Sequence, residues 1–109
     1  MLQLFQTEWC PSSHRVRQRL TELGLDYVTR QVPVEKTERQ ALRAVAGTDA
    51  IPTLVLEDAS AIVGADAIRA WLDAHVAEST ETQAHKQKAA AALRRQLEEE
   101  CECLPPATP

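Results

Sequence analysis

Trp9-Cys10-Pro11-Ser12-Ser13-His14 is the stretch whose reading decides the fold. It sits between a short apolar run, Leu2 to Thr7, and an amphipathic segment, Pro11 to Leu23, with Val16, Leu20 and Leu23 at helical spacing. Pro11 suits the first position of a helix, where its missing N–H costs nothing. Cys10 then falls at the N-cap, with its sulfur aimed at the unpaired N–H groups of the first turn. Those groups and the positive end of the helix dipole favour thiolate over thiol. Cys10 is therefore read as a nucleophile, and Ser13, one turn on, either donates to the sulfur or satisfies first-turn backbone groups.

Working outward, Gly24 is placed to end the first helix. Leu25 to Val34, with Tyr27, Val28, Val32 and Val34, favours a strand interrupted by Pro33. Lys36 to Ala46 reads as a helix with Ala41, Leu42 and Val45 inward, closed by Gly47. Pro52 to Leu56 is a short apolar strand, and Glu57-Asp58-Ala59-Ser60 is a turn leading to the return strand Ala61 to Val63. Ala65 to Val76 is a third helix, with Ile68, Trp71, Leu72 and either His75 or Val76 facing the core. A strand–helix–strand unit implies a parallel crossover, whereas the later pair is joined too tightly to be anything but antiparallel. The order predicts an α/β fold, a mixed four-stranded sheet flanked by helices, over residues 1–77.

Residues 78–109 differ. Ser79-Thr80-Glu81-Thr82 is a break able to cap a new helix. Ala84 to Glu100 is rich in Ala, Lys, Arg, Gln and Glu, all strong helix formers. Its apolar face is thin (Ala84, Ala91, Leu93, Leu97), which predicts weak docking, fraying, or pairing with a second copy through residues 82–100. The prolines after Cys103 end it, leaving a mobile tail.

Composition narrows the function classes. A chain of 109 residues with 44% apolar content makes one domain. A net charge of −4 disfavours nucleic acid. No apolar run approaches the ~20 residues of a membrane span, and no leader-like segment precedes the first strand, so a cytoplasmic protein with reduced thiols is expected. Three cysteines, with Cys10 remote from Cys101 and Cys103, imply no disulfide framework. Cys101 and Cys103 lack the further ligands of a zinc site, so no metal is expected.

Three separated features converge on one ligand chemistry. Cys10 offers a nucleophile. Ile51-Pro52-Thr53 offers an X-Pro bond able to be cis, which would turn the Ile51 backbone toward the sulfur so that an extended peptide pairs with it. Val63-Gly64-Ala65-Asp66 opens a helix whose N–H groups suit a carboxylate, while Asp66 suits an ammonium or serves as a simple N-cap. A thiol with a peptide backbone and adjacent carboxylate and ammonium groups matches all three, and glutathione is such a molecule.

Residues 1–76 thus resemble a glutaredoxin or the closely related N-terminal domain of a glutathione transferase, carried by Trp9-Cys10-Pro11-Ser12-Ser13-His14-Arg15, Ala50-Ile51-Pro52-Thr53-Leu54 and Gly64-Ala65-Asp66-Ala67-Ile68. The resemblance implies a thioredoxin-like fold with Cys10 as nucleophile. It implies Ile51 and cis Pro52 on the cysteinyl backbone of glutathione, and Ala65 N–H with Asp66 on its γ-glutamyl end. Trp9 and Pro11 flank the sulfur on the glutathione side; Trp9 either stacks near the substrate or staples the helix start. His14 is read as an exposed helical residue.

Two departures refine the expectation. Ser13 stands where the dithiol pattern has its second cysteine, which implies monothiol chemistry on protein–glutathione mixed disulfides, with glutathione as co-substrate. Thr7 stands where the family commonly has a lysine; Arg39 and Arg43 are candidates to supply that charge, or else are surface residues. Pro11-Ser12 departs from the Gly-Phe of the iron–sulfur branch. The alternative function is a non-catalytic glutathione- or protein-binding module resembling a free-standing transferase N-terminal domain. The short region after residue 77 disfavours a complete transferase.

Overall fold

The computed structural model describes the backbone of residues 1–103 and the side chains of residues 1–99; the expectations for the Cys101 and Cys103 side chains and for residues 104–109 lie outside them. The elements run β1 (Leu2–Gln6), α1 (Pro11–Glu22), β2 (Tyr27–Gln31), a 3₁₀ turn (Lys36–Glu38), α2 (Gln40–Ala46), β3 (Thr53–Val55), β4 (Ala61–Val63), α3 (Ala65–His75) and α4 (Thr82–Cys103). The sheet order is β2-β1-β3-β4. β1 pairs parallel with β2 and antiparallel with β3, and β4 returns antiparallel to β3. This is the mixed four-stranded sheet the element order predicts, in the thioredoxin-like arrangement the resemblance implies.

β1 is a central strand, and its last three residues, Leu4 to Gln6, are buried on both faces. Leu4 joins Val16, Leu20, Leu54, Ile68 and Leu72 in a core under α1 and α3, while Phe5 joins Leu42 and Val55 under α2. Leu2 lies on the same face as Leu4 and packs at the edge of the first core. Leu4, Val16, Leu20, Leu54, Ile68 and Leu72 are all completely buried. The first core therefore welds the starts of α1 and α3 to the sheet.

The second helix departs from its sequence pattern. The expected continuous helix from Lys36 is a 3₁₀ turn followed by a seven-residue α2, and of the three side chains expected inward only Leu42 is buried. Ala41 and Val45 are exposed, because Leu42 and Ala46 already present the sheet-facing stripe and the other two sit one position off it. The break has a cause in Arg39, which is 4% exposed. Its guanidinium donates to the carbonyls of Pro33 (2.8 Å), Val34 (3.1 Å) and Asp49 (2.9 Å), pinning the loops on either side of α2. Arg39 is thus an internal clamp, neither a surface charge nor a spare cation for a ligand.

In α3, Ile68 and Leu72 face the core, Trp71 is half-buried and stacks on the exposed His75, and Val76 just beyond the helix supplies the last core contact. Arg19 reaches from α1 to Asp73 (2.9 Å) and Glu78 (3.2 Å), tying α1 to α3 and to the segment before α4.

α4 begins earlier than its composition indicates. Thr82 is completely buried; its hydroxyl donates to the Glu22 carbonyl at 2.8 Å and accepts from the Ser79 N–H at 3.0 Å. That anchor sets the docking face as Thr82, His85, Lys86 and Ala89, leaving the expected Ala84 and Ala91 exposed. Beyond Ala89 the described side chains are exposed, with Leu93 and Leu97 at 58% and 54%.

Candidate functional site

Cys10 has extended backbone geometry (φ −82°, ψ 117°) and caps α1, with Pro11 in the first turn. Its sulfur accepts the Ser13 N–H at 3.4 Å, and its carbonyl accepts the His14 N–H at 3.1 Å. The sulfur is half-buried. Partial burial works against ionisation, but the Ser13 hydroxyl, the backbone N–H groups of Ser13 and Ser12 and the Arg17 charge outweigh it, and the thiol pKa is lowered from 9.0. Ser13 is completely buried, and among the described residues its hydroxyl has no partner within hydrogen-bond geometry. The firm contact is therefore the N–H bond, with the hydroxyl free to turn its proton to a thiolate. The neighbouring Trp9 is 64% exposed, so it does not staple the helix start, and its ring is open to a ligand. His14 is exposed.

The second segment lies beside the first through strand pairing. Phe5 faces Thr53 across β1 and β3, so the chain leaving β1 toward Cys10 runs next to the chain entering β3. The Ile51–Pro52 peptide bond is cis. Pro52 is buried, and the Ile51 N–H and C=O have no hydrogen-bond partner among the described residues. That leaves one backbone donor and one backbone acceptor open to another chain.

The third segment is locked to the second by the Gly64 N–H, which donates to the Pro52 carbonyl at 2.9 Å. Gly64 adopts φ +94°, a conformation L side chains rarely take, although a Cβ would meet nothing within 4 Å; the backbone turn, rather than space, calls for glycine. Gly64 is the N-cap of α3, so Asp66 is not, and no side chain caps the helix. Among the described residues the N–H groups of Ala65 and Asp66 are unpaired. Asp66 instead projects its carboxylate to Arg15 of α1 at 3.1 Å, a bridge that closes the first segment onto the third.

The fold thus gathers Cys10, Ser13, Trp9 and Pro11 with Ile51 and Pro52 and with Ala65 and Asp66. Arg43 is placed elsewhere: it donates to the carbonyls of Lys36 (2.8 Å) and Thr37 (2.7 Å) and lies 3.8 Å from Asp49. In the sequence, the charges of Arg15 and Arg17 read as a solvated helix face, and their spacing on either side of Val16 is the one signal that they point to different partners. A separate groove of about 670 Å³ opens between α1, β2 and α4, lined by His14, Arg17, Tyr27, His85 and Leu93 among others. It does not include Cys10. No group of three or more His, Cys, Asp or Glu among the described residues is placed to hold a metal. None of the described helices is long and apolar enough to cross a membrane.

Comparison with known proteins gives a consistent family. A family model described as glutathione S-transferase, N-terminal domain, matches residues 9–75. A search of curated proteins found no match. Among solved structures, the chain is similar to a glutathione S-transferase domain-containing protein from Marinobacter aquaeolei VT8 (28% identity, TM-score 0.60, 72% of this chain and 40% of that one). It is similar to a glutathione S-transferase from Rhodospirillum rubrum F11 (27%, TM-score 0.60, 70% and 34%). A glutathione transferase homolog from Sulfitobacter, solved with bound glutathione, aligns equally well (26%, TM-score 0.61, 70% and 37%). The chain spans between a third and two-fifths of these proteins. With 67 matched residues of 109, it belongs to the family of glutathione S-transferase N-terminal domains.

Proposed function

We propose that this protein is a glutathione-dependent thiol–disulfide oxidoreductase of monothiol type. The observation that carries the proposal is the Cys10 sulfur on the Ser13 N–H, in a segment that strand pairing and the Arg15–Asp66 bridge join to those bearing the open backbone groups of Ile51 and Ala65. The Cys10 thiolate attacks the glutathione sulfur of a protein–glutathione disulfide, and the protein thiolate leaves and takes a proton. A second glutathione thiolate attacks the Cys10-bound glutathione sulfur; Cys10 leaves as thiolate and oxidised glutathione departs. Ser13 stabilises Cys10 as attacking and leaving group. Ile51 pairs with the cysteinyl backbone of glutathione beside Pro52, with Trp9 and Pro11 alongside. The Ala65 N–H receives the γ-glutamyl carboxylate and Asp66 its ammonium. Arg43, with both terminal nitrogens on loop carbonyls, contributes through the α2 loop rather than by reaching the ligand. The chemistry requires a reducing compartment such as the cytoplasm.

The test is incubation with oxidised glutathione followed by mass spectrometry, paired with turnover of a small glutathione mixed disulfide. The expected result is an adduct at Cys10 and turnover that Cys10→Ser abolishes; full activity in that variant would refute the proposal. A second reading, a glutathione-binding module without turnover, is favoured by the α3 cradle, which needs no reactive thiol; it predicts an adduct, or binding by Cys10→Ser, without turnover. The exposed Leu93 and Leu97 support self-association through residues 82–100, which sedimentation at increasing concentration tests.

A further inference from the structure

Arg15 and Arg17 are two residues apart, so they leave α1 on opposite sides. Arg15 turns toward Asp66 at the start of α3. Arg17 turns to the end of β1, where its guanidinium bonds the Gln6 side-chain oxygen and the Thr7 carbonyl (3.5 Å) and lies 3.5 Å from the Glu8 carboxylate. The Thr7 carbonyl is also the acceptor of the Cys10 N–H (3.4 Å), so a single carbonyl links this cation to the residue bearing the sulfur.

The Glu8 carboxylate sits in a built cradle. It accepts from the Gln6 amide at 3.1 Å as well as facing Arg17, and that amide is fixed in turn by Gln31 of β2 at 3.2 Å. Gln6 is completely buried and the Arg17 side chain is 16% exposed, whereas the Glu8 side chain is 73% exposed. The donors are rigid and the acceptor is free to leave. An exposed partner of this kind is weakly held, so exchanging it for another carboxylate costs little.

We infer that Arg17 and Gln6 form a receptor for a carboxylate of the thiol that reacts at Cys10, and that Glu8 occupies it when no such thiol is bound. In the proposed reaction, on which the identity of that thiol rests, the γ-glutamyl end of glutathione lies on the Asp66 side of α1, and its glycyl carboxylate reaches the Arg17 side. Arg17 then supplies, from α1, a positive charge at position 7 that threonine cannot.

The experiment compares alkylation of Cys10 in the full chain by iodoacetate, an anion, and iodoacetamide, its neutral analogue, followed on the Cys10 peptide by mass spectrometry. Their rate ratio cancels changes in thiolate fraction. Glu8→Gln should raise the iodoacetate-to-iodoacetamide ratio and Arg17→Gln should lower it, each by about three- to tenfold, with Arg17→Lys restoring part of the loss. Equal changes in both rates would overturn the inference and leave Arg17 only a loop support. Should Arg17→Gln unfold, an unchanged ratio in Glu8→Gln overturns it alone. The same inference predicts that Arg17→Gln raises KM for glutathione several-fold more than KM for cysteamine, which has no carboxylate. A responsive ratio in a protein that neither binds nor turns over glutathione would sink the glutathione proposal and keep the carboxylate receptor.

Discussion

The starts of α1 and α3 lie side by side, bridged by Arg15 and Asp66, yet they are finished in opposite ways. α1 is capped by its own sulfur, which takes up the Ser13 N–H. α3 is capped by a glycine with no side chain to offer, so its leading N–H groups stay open among the described residues. Both ends carry the same partial positive charge. One spends it on an atom of the chain and so tunes a nucleophile; the other keeps it for a ligand. The difference comes from two residue choices, Cys10 followed by Pro11 and Gly64 followed by Ala65, on helices held by a common core.

That contrast can be broken at either end. The largest expected effect is on turnover: Cys10→Ser leaves the fold intact, because serine also caps helices, yet lowers mixed-disulfide reduction on the order of 10³-fold or more. Parallel circular dichroism and kinetic assays check both halves of that statement. Next in size, Ile68→Ala hollows the core beneath the α3 start, where Ile68 is completely buried, and should cost about 2–5 kcal/mol in urea unfolding. Smaller again is Ala65→Pro, which removes an open N–H at a helix position that tolerates proline. Calorimetric titration should show glutathione binding about tenfold weaker, with Tm nearly unchanged. The least effect on stability is expected from Ser13→Ala. It deletes a buried hydroxyl with no partner among the described residues, so stability should move by less than about 1 kcal/mol, while the Cys10 titration midpoint rises toward 9.0.

Much of this was legible from local chemistry. Pro11 after Cys10 and Gly64 before Ala65 mark helix starts by rules that act within one turn, and the apolar spacing of Val16, Leu20, Ile68 and Leu72 fixes which faces meet the sheet. What local patterns could not show was partnership across long separations. Arg39 reads as one more charge on a helix until the carbonyls of Pro33, Val34 and Asp49 close around it. Ala41 and Val45 suit a helical stripe, but the stripe that meets the sheet is chosen by the short length of α2 and by Leu42. Thr82 looks like ordinary capping material, and only the Glu22 carbonyl, 60 residues earlier, makes it the anchor of α4. At the site, the open backbone of Ile51 and the Arg15–Asp66 bridge follow from strand pairing and helix packing, neither of which is written in adjacent residues.

Ionisation of Cys10 tests the account most directly. Because the native pKa lies below 9.0, the unfolded chain binds more protons across the interval between the two values, so folding stability rises with pH through it. That contribution is complete above 9.0 and is lost as pH falls through the native pKa. The decisive measurement is the rate of iodoacetamide labelling of Cys10 against pH, read on the Cys10 peptide so that Cys101 and Cys103 do not interfere. A half-maximal rate below pH 9.0 is predicted; a midpoint at or above 9.0 would contradict the claim that the start of α1 makes this sulfur a nucleophile.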